Sequence, residues 1–223
     1  MGHQNHTIGL QLGFNNKWSS KWAVDIKNKY IYRYLVHQDL LIKAFIIQFF
    51  KKLKLQVLKP IIKRTENETH IFIGVFTKYK KSRTDNPTQD INYLQTLLEQ
   101  FTNTKVKCYY VFINNYLYDA DLLGNFIVTS IKANKKPLTI FKTILKKKTK
   151  LHKSPSLNFL HEKIQGIKYE ISGRIKGVDR ARTLKFLYGS VPLNTLSQKI
   201  SFAKKTVYTK EGTLGVKVWI TYK

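Results

Sequence analysis

GIKYEISGRIKGVDRARTLKFLYGSVPLNTL, residues 166–196, runs as a strand, breaks into a loop that holds Arg174, Arg180 and Arg182 within nine positions, and resumes as a strand. The chain has only six arginines, so three in one loop beside Gly173 and Gly177 are a concentration that the rest of the sequence does not share. Glycine lets backbone amides approach a phosphate closely. The guanidinium fork binds phosphate oxygens at two points, where lysine offers a point charge. The loop SGRIKGVDRART, with Lys176 between its glycines and Lys185 just beyond it, is therefore a candidate contact with an RNA backbone. The plainer alternative is a solvated turn with incidental charge.

Outward from this loop the chain continues as strands. Runs are expected over 167–174, 184–191, 198–208 and 214–222, and in the last, LGVKVWITY, Val216, Val218 and Ile220 oppose Lys217, Trp219 and Thr221. Such alternation predicts an antiparallel sheet. Upstream, residues 119–151 have helical period interrupted at Pro137; the second half carries Leu138, Phe141 and Leu145 as an apolar stripe beside Lys142, Lys146, Lys147 and Lys148. Lys135 and Lys136 precede it. LHKSPS, at 151–156, reads as a linker.

A second α+β group precedes these elements. From Val36 to Phe50, Leu40, Leu41, Ala44, Phe45, Ile47 and Phe49 recur at helical spacing, predicting a buried helix. LQVLKPII and THIFIGVFTK read as strands around the turn KRTENE, the second with Ile71, Ile73 and Val75 on one face and His70, Phe72 and Phe76 on the other. Asn86 and Pro87 open a helix through Ile91, Leu94, Leu98 and Phe101, and KVKCYYVFIN follows as a strand. The order α-β-β-α-β fits one sheet with helices on one face. Residues 1–22, with three glycines and two tryptophans, suit an extended arm. The expected division is an arm over 1–35, an α+β domain over 36–117, and a carboxy-terminal α+β domain over 118–223.

Charge narrows the partner. Forty Lys and Arg stand against 13 Asp and Glu in 223 residues, a formal +27. That field repels itself unless a polyanion neutralises it, so nucleic acid is the leading partner. An anionic membrane surface ranks second, and no membrane span is expected, since the most apolar run, LLIKAFIIQFFKKLKL, is broken by lysine. Cys108 is the single cysteine and alternates with Val106, Tyr110 and Phe112 as strand core. No metal or cofactor is expected, and no GxSxG, HExxH or Walker-type loop points to an enzyme. Gly212-Thr-Leu-Gly215 spells GxxG but lies between strands and reads as a turn. Lysine, Asn, Ile, Phe and Tyr are abundant, as AT-rich coding produces, and no Arg-rich, Ser-rich transit peptide precedes the first structured residues. Synthesis inside an organelle is the expectation. His6, Lys17, Trp18 and Trp22 are candidate RNA contacts in the arm, with packing the more frequent fate of isolated tryptophans.

MGHQNHTIGLQLG followed by KWSSKW resembles the amino terminus of the universal small-subunit ribosomal protein three family, and GIKYEISGRIKG, ARTLKF, GSVPLNTL and LGVKVWI resemble its carboxy-terminal domain in order and spacing. The resemblance is strong over 1–22 and 166–222 and weak between, where α-β-β-α-β agrees with the family's type II KH domain. It implies a non-enzymatic component of the subunit head near the messenger entrance, with small-subunit rRNA, mRNA and neighbouring head proteins as partners. His6, Gly9, Gly13, Trp18 and Trp22 match the family's rRNA-binding arm; Gly173, Arg174, Gly177, Arg182, Val191, Pro192 and Leu193 match its carboxy-terminal signature. Two departures are visible. YKKSRTDNP, before the helix at 87, lacks the KH glycine loop, which makes that unit a degenerate KH. Leu138 and Thr139 stand where an arginine pair facing messenger is usual, although Lys142 still matches a basic position. Such erosion suits a mitochondrial member, with a plastid one as the alternative. The other function carried forward is a non-ribosomal KH-type RNA-binding protein of organelle transcript maintenance.

Overall fold

The computed structural model describes residues 6–22, 29–53, 55–65, 68–76, 87–152 and 164–223, with the side chains of 87–91 and 148–152 excepted. The expected Asn86 cap, the YKKSRTDNP segment, most of the LHKSPS linker and the centre of the KRTENE turn lie outside the described residues. The chain divides into two units: residues 18–115, and residues 1–17 together with 116–223. This differs from the expected boundary at 35. The amino-terminal residues belong with the carboxy-terminal unit, and the first long helix begins at Lys29.

In the first of these, strand β1 (Ser20–Lys21), helix α2 (Lys29–Lys52), strands β2 (Gln56–Val57), β3 (Ile61–Arg64) and β4 (Glu68–Phe76), helix α3 (Pro87–Thr102) and strand β5 (Lys105–Ile113) follow one another. β4 is the central strand. β2 and β3 pair antiparallel with it, β5 runs parallel to it, and β1 lies parallel to β3 at the margin. A parallel neighbour needs a crossover, which α3 supplies. The expected alternation of β4 holds: Thr69, Ile71, Ile73 and Val75 are buried, packing into a core with Ile42, Ile46, Phe50, Ile62, Leu94, Leu98 and Val106. α2 buries a different row from the one expected. Ile42, Ile46 and Phe50 face the core, whereas Leu40, Leu41, Phe45 and Ile47 are exposed. The helix is apolar almost all round, so period alone does not choose the face. Buried polar partners do: Asp39 accepts from Arg64 Nε at 2.9 Å and Nη2 at 2.6 Å, and from Trp22 Nε1 at 3.0 Å.

In the other unit, helix α1 (Thr7–Gln11), a 3-10 turn at Tyr116–Tyr118, helices α4 (Ala120–Lys132) and α5 (Pro137–His152), and strands β6 (Ile164–Gly173), β7 (Arg182–Gly189), β8 (Ile200–Thr209) and β9 (Gly212–Tyr222) build a four-stranded antiparallel sheet in the order β7-β6-β9-β8. α4 packs on β8 and β9, tied by Asp121 to Lys205 at 3.0 Å. α5 brings Phe141 against Tyr169 and Phe186, and the Tyr169 hydroxyl donates to the Pro137 carbonyl at 2.9 Å. Its buried row is Ile140 and Ile144; Leu138, expected in the stripe, is exposed in the first turn of the helix.

The expected extended arm is partly helical. His6 caps α1, its Nδ1 accepting from the Gly9 amide at 3.4 Å, and its ring meets Phe202 of β8 edge-on at 5.1 Å. Gln11, fully buried, is the clamp: its amide donates to the Gln198 carbonyl at 2.6 Å and accepts from the Ile200 amide at 3.2 Å.

Candidate nucleic-acid interface

The sheet of the carboxy-terminal unit has two unlike faces. Ile167, Tyr169 and Ile171, with Val216, Val218 and Ile220, are buried toward the helices. The residues between them point the other way, and pairing sets them in rungs. Lys185 lies opposite Glu170, Glu170 opposite Lys217, and Lys217 opposite Lys204, so one rung crosses all four strands as Lys-Glu-Lys-Lys. The three lysines are exposed and one glutamate cannot balance them. Like charges directly opposite are destabilising by themselves. The next rung, Leu187-Lys168-Trp219-Phe202, is partly covered: His6 packs on Phe202, and Lys168 lies 4.8 Å from the Trp219 ring centre and 3.1 Å from Glu170.

The arginine loop rises from the end of β6. Gly173 (φ 128°) and Gly177 (φ 72°) hold conformations that an L side chain rarely adopts. A Cβ on Gly173 would stand 2.9 Å from the Thr213 carbonyl, and one on Gly177 2.8 Å from the Glu211 carboxylate. Both glycines thus shape the loop against the β8–β9 turn. Arg174 turns back onto its own loop, Nε donating to the Val178 carbonyl at 3.2 Å and Nη2 lying 3.9 Å from Asp179. Lys176, Arg180 and Arg182 are exposed. Alternation places Arg182 and Lys185 on opposite faces of β7, so the loop cluster and the rung are separate cationic surfaces.

The remaining candidates divide. Lys135, Lys136, Lys142 and Lys146 are exposed, the last two one turn apart on α5. Lys147 does not join them. Its ammonium sits 3.9 Å from the Tyr116 ring centre, and burial lowers its pKa while raising that of Tyr116 to about 12. The Lys148 side chain lies outside the described residues. Lys17 and Trp18 are exposed, but Trp22 is an internal anchor, bonded to Asp39 and edge-on to Tyr32 at 5.3 Å. No group of metal-ligating side chains occurs among the described residues, nor any helix there long and apolar enough to cross a membrane.

A model for the carboxy-terminal domain of ribosomal protein S3 matches residues 149–220. Small ribosomal subunit protein uS3c of Euglena longa is 30% identical over 229 residues, covering 99% of this chain and 99% of that protein. Small ribosomal subunit protein uS3 of Fusobacterium nucleatum is 31% identical over 220 residues, covering 99% of this chain and 93% of that protein. The chain belongs to the uS3 family. That family consists of structural ribosomal proteins, not enzymes. A further uS3, from Borrelia duttonii, is 29% identical over 220 residues, covering 99% of this chain and 74% of that protein. In this uS3 member the matched region takes in β6 to β9 and therefore both cationic surfaces. Lys204 and Lys217 belong to no motif, Lys217 standing between Val216 and Val218 and Lys204 beside Lys205; the signal was the clean alternation of 214–222, which already set Lys217 on the face away from the core.

Proposed function

We propose that this uS3 protein is a structural component of the small ribosomal subunit, held by rRNA through the Lys185-Glu170-Lys217-Lys204 rung and the exposed cations of the 174–182 loop. The observation that carries this is the rung: uncompensated lysines side by side on an open sheet face, in a chain of +27. Neutralising phosphates releases counterions and removes the repulsion together. Residues 18–115 act as a KH-like module; what supports this is the run α2-β3-β4-α3-β5 around a mixed sheet, to which the two-residue strands β1 and β2 add short pairings. Messenger is guided by Lys135, Lys136, Lys142 and Lys146, without the arginine pair at Leu138 and Thr139. The ribosome is organellar, supported by the full-length likeness to uS3c of Euglena longa, which fits the plastid alternative. A mitochondrial setting rests on the family departures alone.

Sedimentation tests the reading. The full chain is expected to co-migrate with small-subunit RNA after a high-salt wash. Recovery in a light RNA-protein fraction would instead favour the non-ribosomal transcript-binding function.

A further inference from the structure

The sheet of residues 18–115 also has an open face, and the proposed rRNA contacts do not use it. Opposite the buried row of β4, pairing sets Lys21 beside Lys63, Lys63 beside His70, and His70 beside Lys107: a rung of three lysines and a histidine across β1, β3, β4 and β5. The adjacent rung is Ile61-Phe72-Tyr109. Phe72 and Tyr109 lie nearly parallel, 4.9 Å between ring centres and 14° between planes, and His70 stacks on Tyr109 at 5.9 Å and 25°. The Lys63 ammonium stands 4.9 Å from the Phe72 ring centre. Tyr109 is 43% exposed on β5, with Ile61 and Val111 exposed beside it. Among the described residues one acid touches the face: Glu68 pairs with Lys107 at 2.6 Å, lies 3.6 Å from His70 and pairs across strands with Lys105.

We propose that this face is a platform for single-stranded RNA, with a nucleobase stacking on Tyr109 and the phosphates that follow it running along Lys63, Lys21 and Lys107. Parallel aromatic rings on a sheet accept any base by its π-face, and cations in the next rung meet the backbone. Among the described residues four lysines, Lys21, Lys63, Lys105 and Lys107, surround the rings against one glutamate, so the charge complementarity is to a polyanion rather than to an apolar or basic protein surface. Glycines are not needed for this mode. The rings, not a closing backbone loop, grip the strand. The proposal rests on the ribosomal reading only for which RNA the platform meets.

The test uses the full chain and a uridine oligonucleotide of about ten nucleotides carrying 4-thiouridine, a length within the usual site size. After irradiation, the cross-linked peptide is expected to contain Tyr109 or Phe72. Tyr109→Leu should weaken binding about tenfold, and Tyr109→Trp should keep it. Replacing Lys21, Lys63 and Lys107 together by Gln should lower the salt slope by about two. Cross-links confined to the carboxy-terminal unit, or a Tyr109→Leu chain that binds as wild type, would overturn the proposal. So would lysine cross-links from Lys63 or Lys107 to another protein in assembled subunits with no RNA attached at Tyr109. Co-sedimentation with the subunit and no Tyr109 cross-link sinks the platform alone. A Tyr109 cross-link without co-sedimentation sinks the ribosomal reading alone.

Discussion

Asp39 shows how much one side chain carries in a protein so short of acids. Its carboxylate takes both the Arg64 guanidinium and the Trp22 indole, and the Arg64 and Asp39 side chains are only 8% and 4% exposed. Removing the acid strands a buried cation, so Asp39→Ala should destabilise residues 18–115 by about 3 to 5 kcal/mol in denaturant unfolding. Substitution of the exposed Glu211 should be far milder. Gln11 is the counterpart in the other unit. Gln11→Ala leaves the Gln198 carbonyl and the Ile200 amide without partners, at about 1 to 3 kcal/mol, and should release α1 to proteolysis before the sheet melts. Cys108 gives a pH signature. Burial pushes its thiol from 9.0 up to about 11, so it stays protonated in the fold. The protonated thiol favours folding below pH 9, and the contribution is lost as pH rises from there toward 11. Alkylation at pH 8 should run about a hundredfold slower in the native chain than in denaturant, because the thiolate is the nucleophile.

Elements, more than residues, decide where charge is presented. The β8–β9 pair sets Lys204 directly opposite Lys217, and Lys204→Glu turns a repulsive pair into an attractive one. The isolated chain should gain about 0.2 to 1 kcal/mol in thermal unfolding while its RNA complex weakens. Gain of stability with no loss of RNA affinity would remove the rung from the interface. Strand alternation made this surface legible: 214–222 and 68–76 adopt the faces that their period dictates, since a sheet with one side packed permits no slip. Helices were less legible. In α2, apolar residues surround the axis, and the buried row was chosen by the Asp39–Arg64 pair, which comes from a residue 25 positions away. In α5, the side toward the sheet was fixed by Ile140 and Ile144, and Lys147 found Tyr116, a contact no local period announces. The amino-terminal segment was hardest. α1 is too short for a periodic signal, and its place on β8 depends on Gln11 acting as a surrogate strand partner.

At the scale of the whole molecule, the +27 charge makes two salt dependences run in opposite directions. In the isolated chain, lysines repel along both open sheet faces, where Lys21 meets Lys63 and Lys204 meets Lys217. Salt shortens the Debye length from about 30 Å at 0.01 M to about 8 Å at 0.15 M and so relieves that strain. The thermal midpoint of the free protein should therefore rise as salt is added over this range. Bound to RNA, the same lysines have released counterions, and affinity should fall by about 0.7 to 0.9 log units per log unit of salt for each phosphate engaged. A ligand present at about one hundred times its dissociation constant adds about 2.7 kcal/mol to folding, so RNA should stabilise the chain most where the free protein is weakest. Plotted against salt, the midpoints with and without RNA should converge. A free chain whose midpoint falls with salt would mean that its attractive ion pairs, such as Lys205 with Asp121 and Lys107 with Glu68, outweigh the repulsion. A polyanion would then be no condition of its stability.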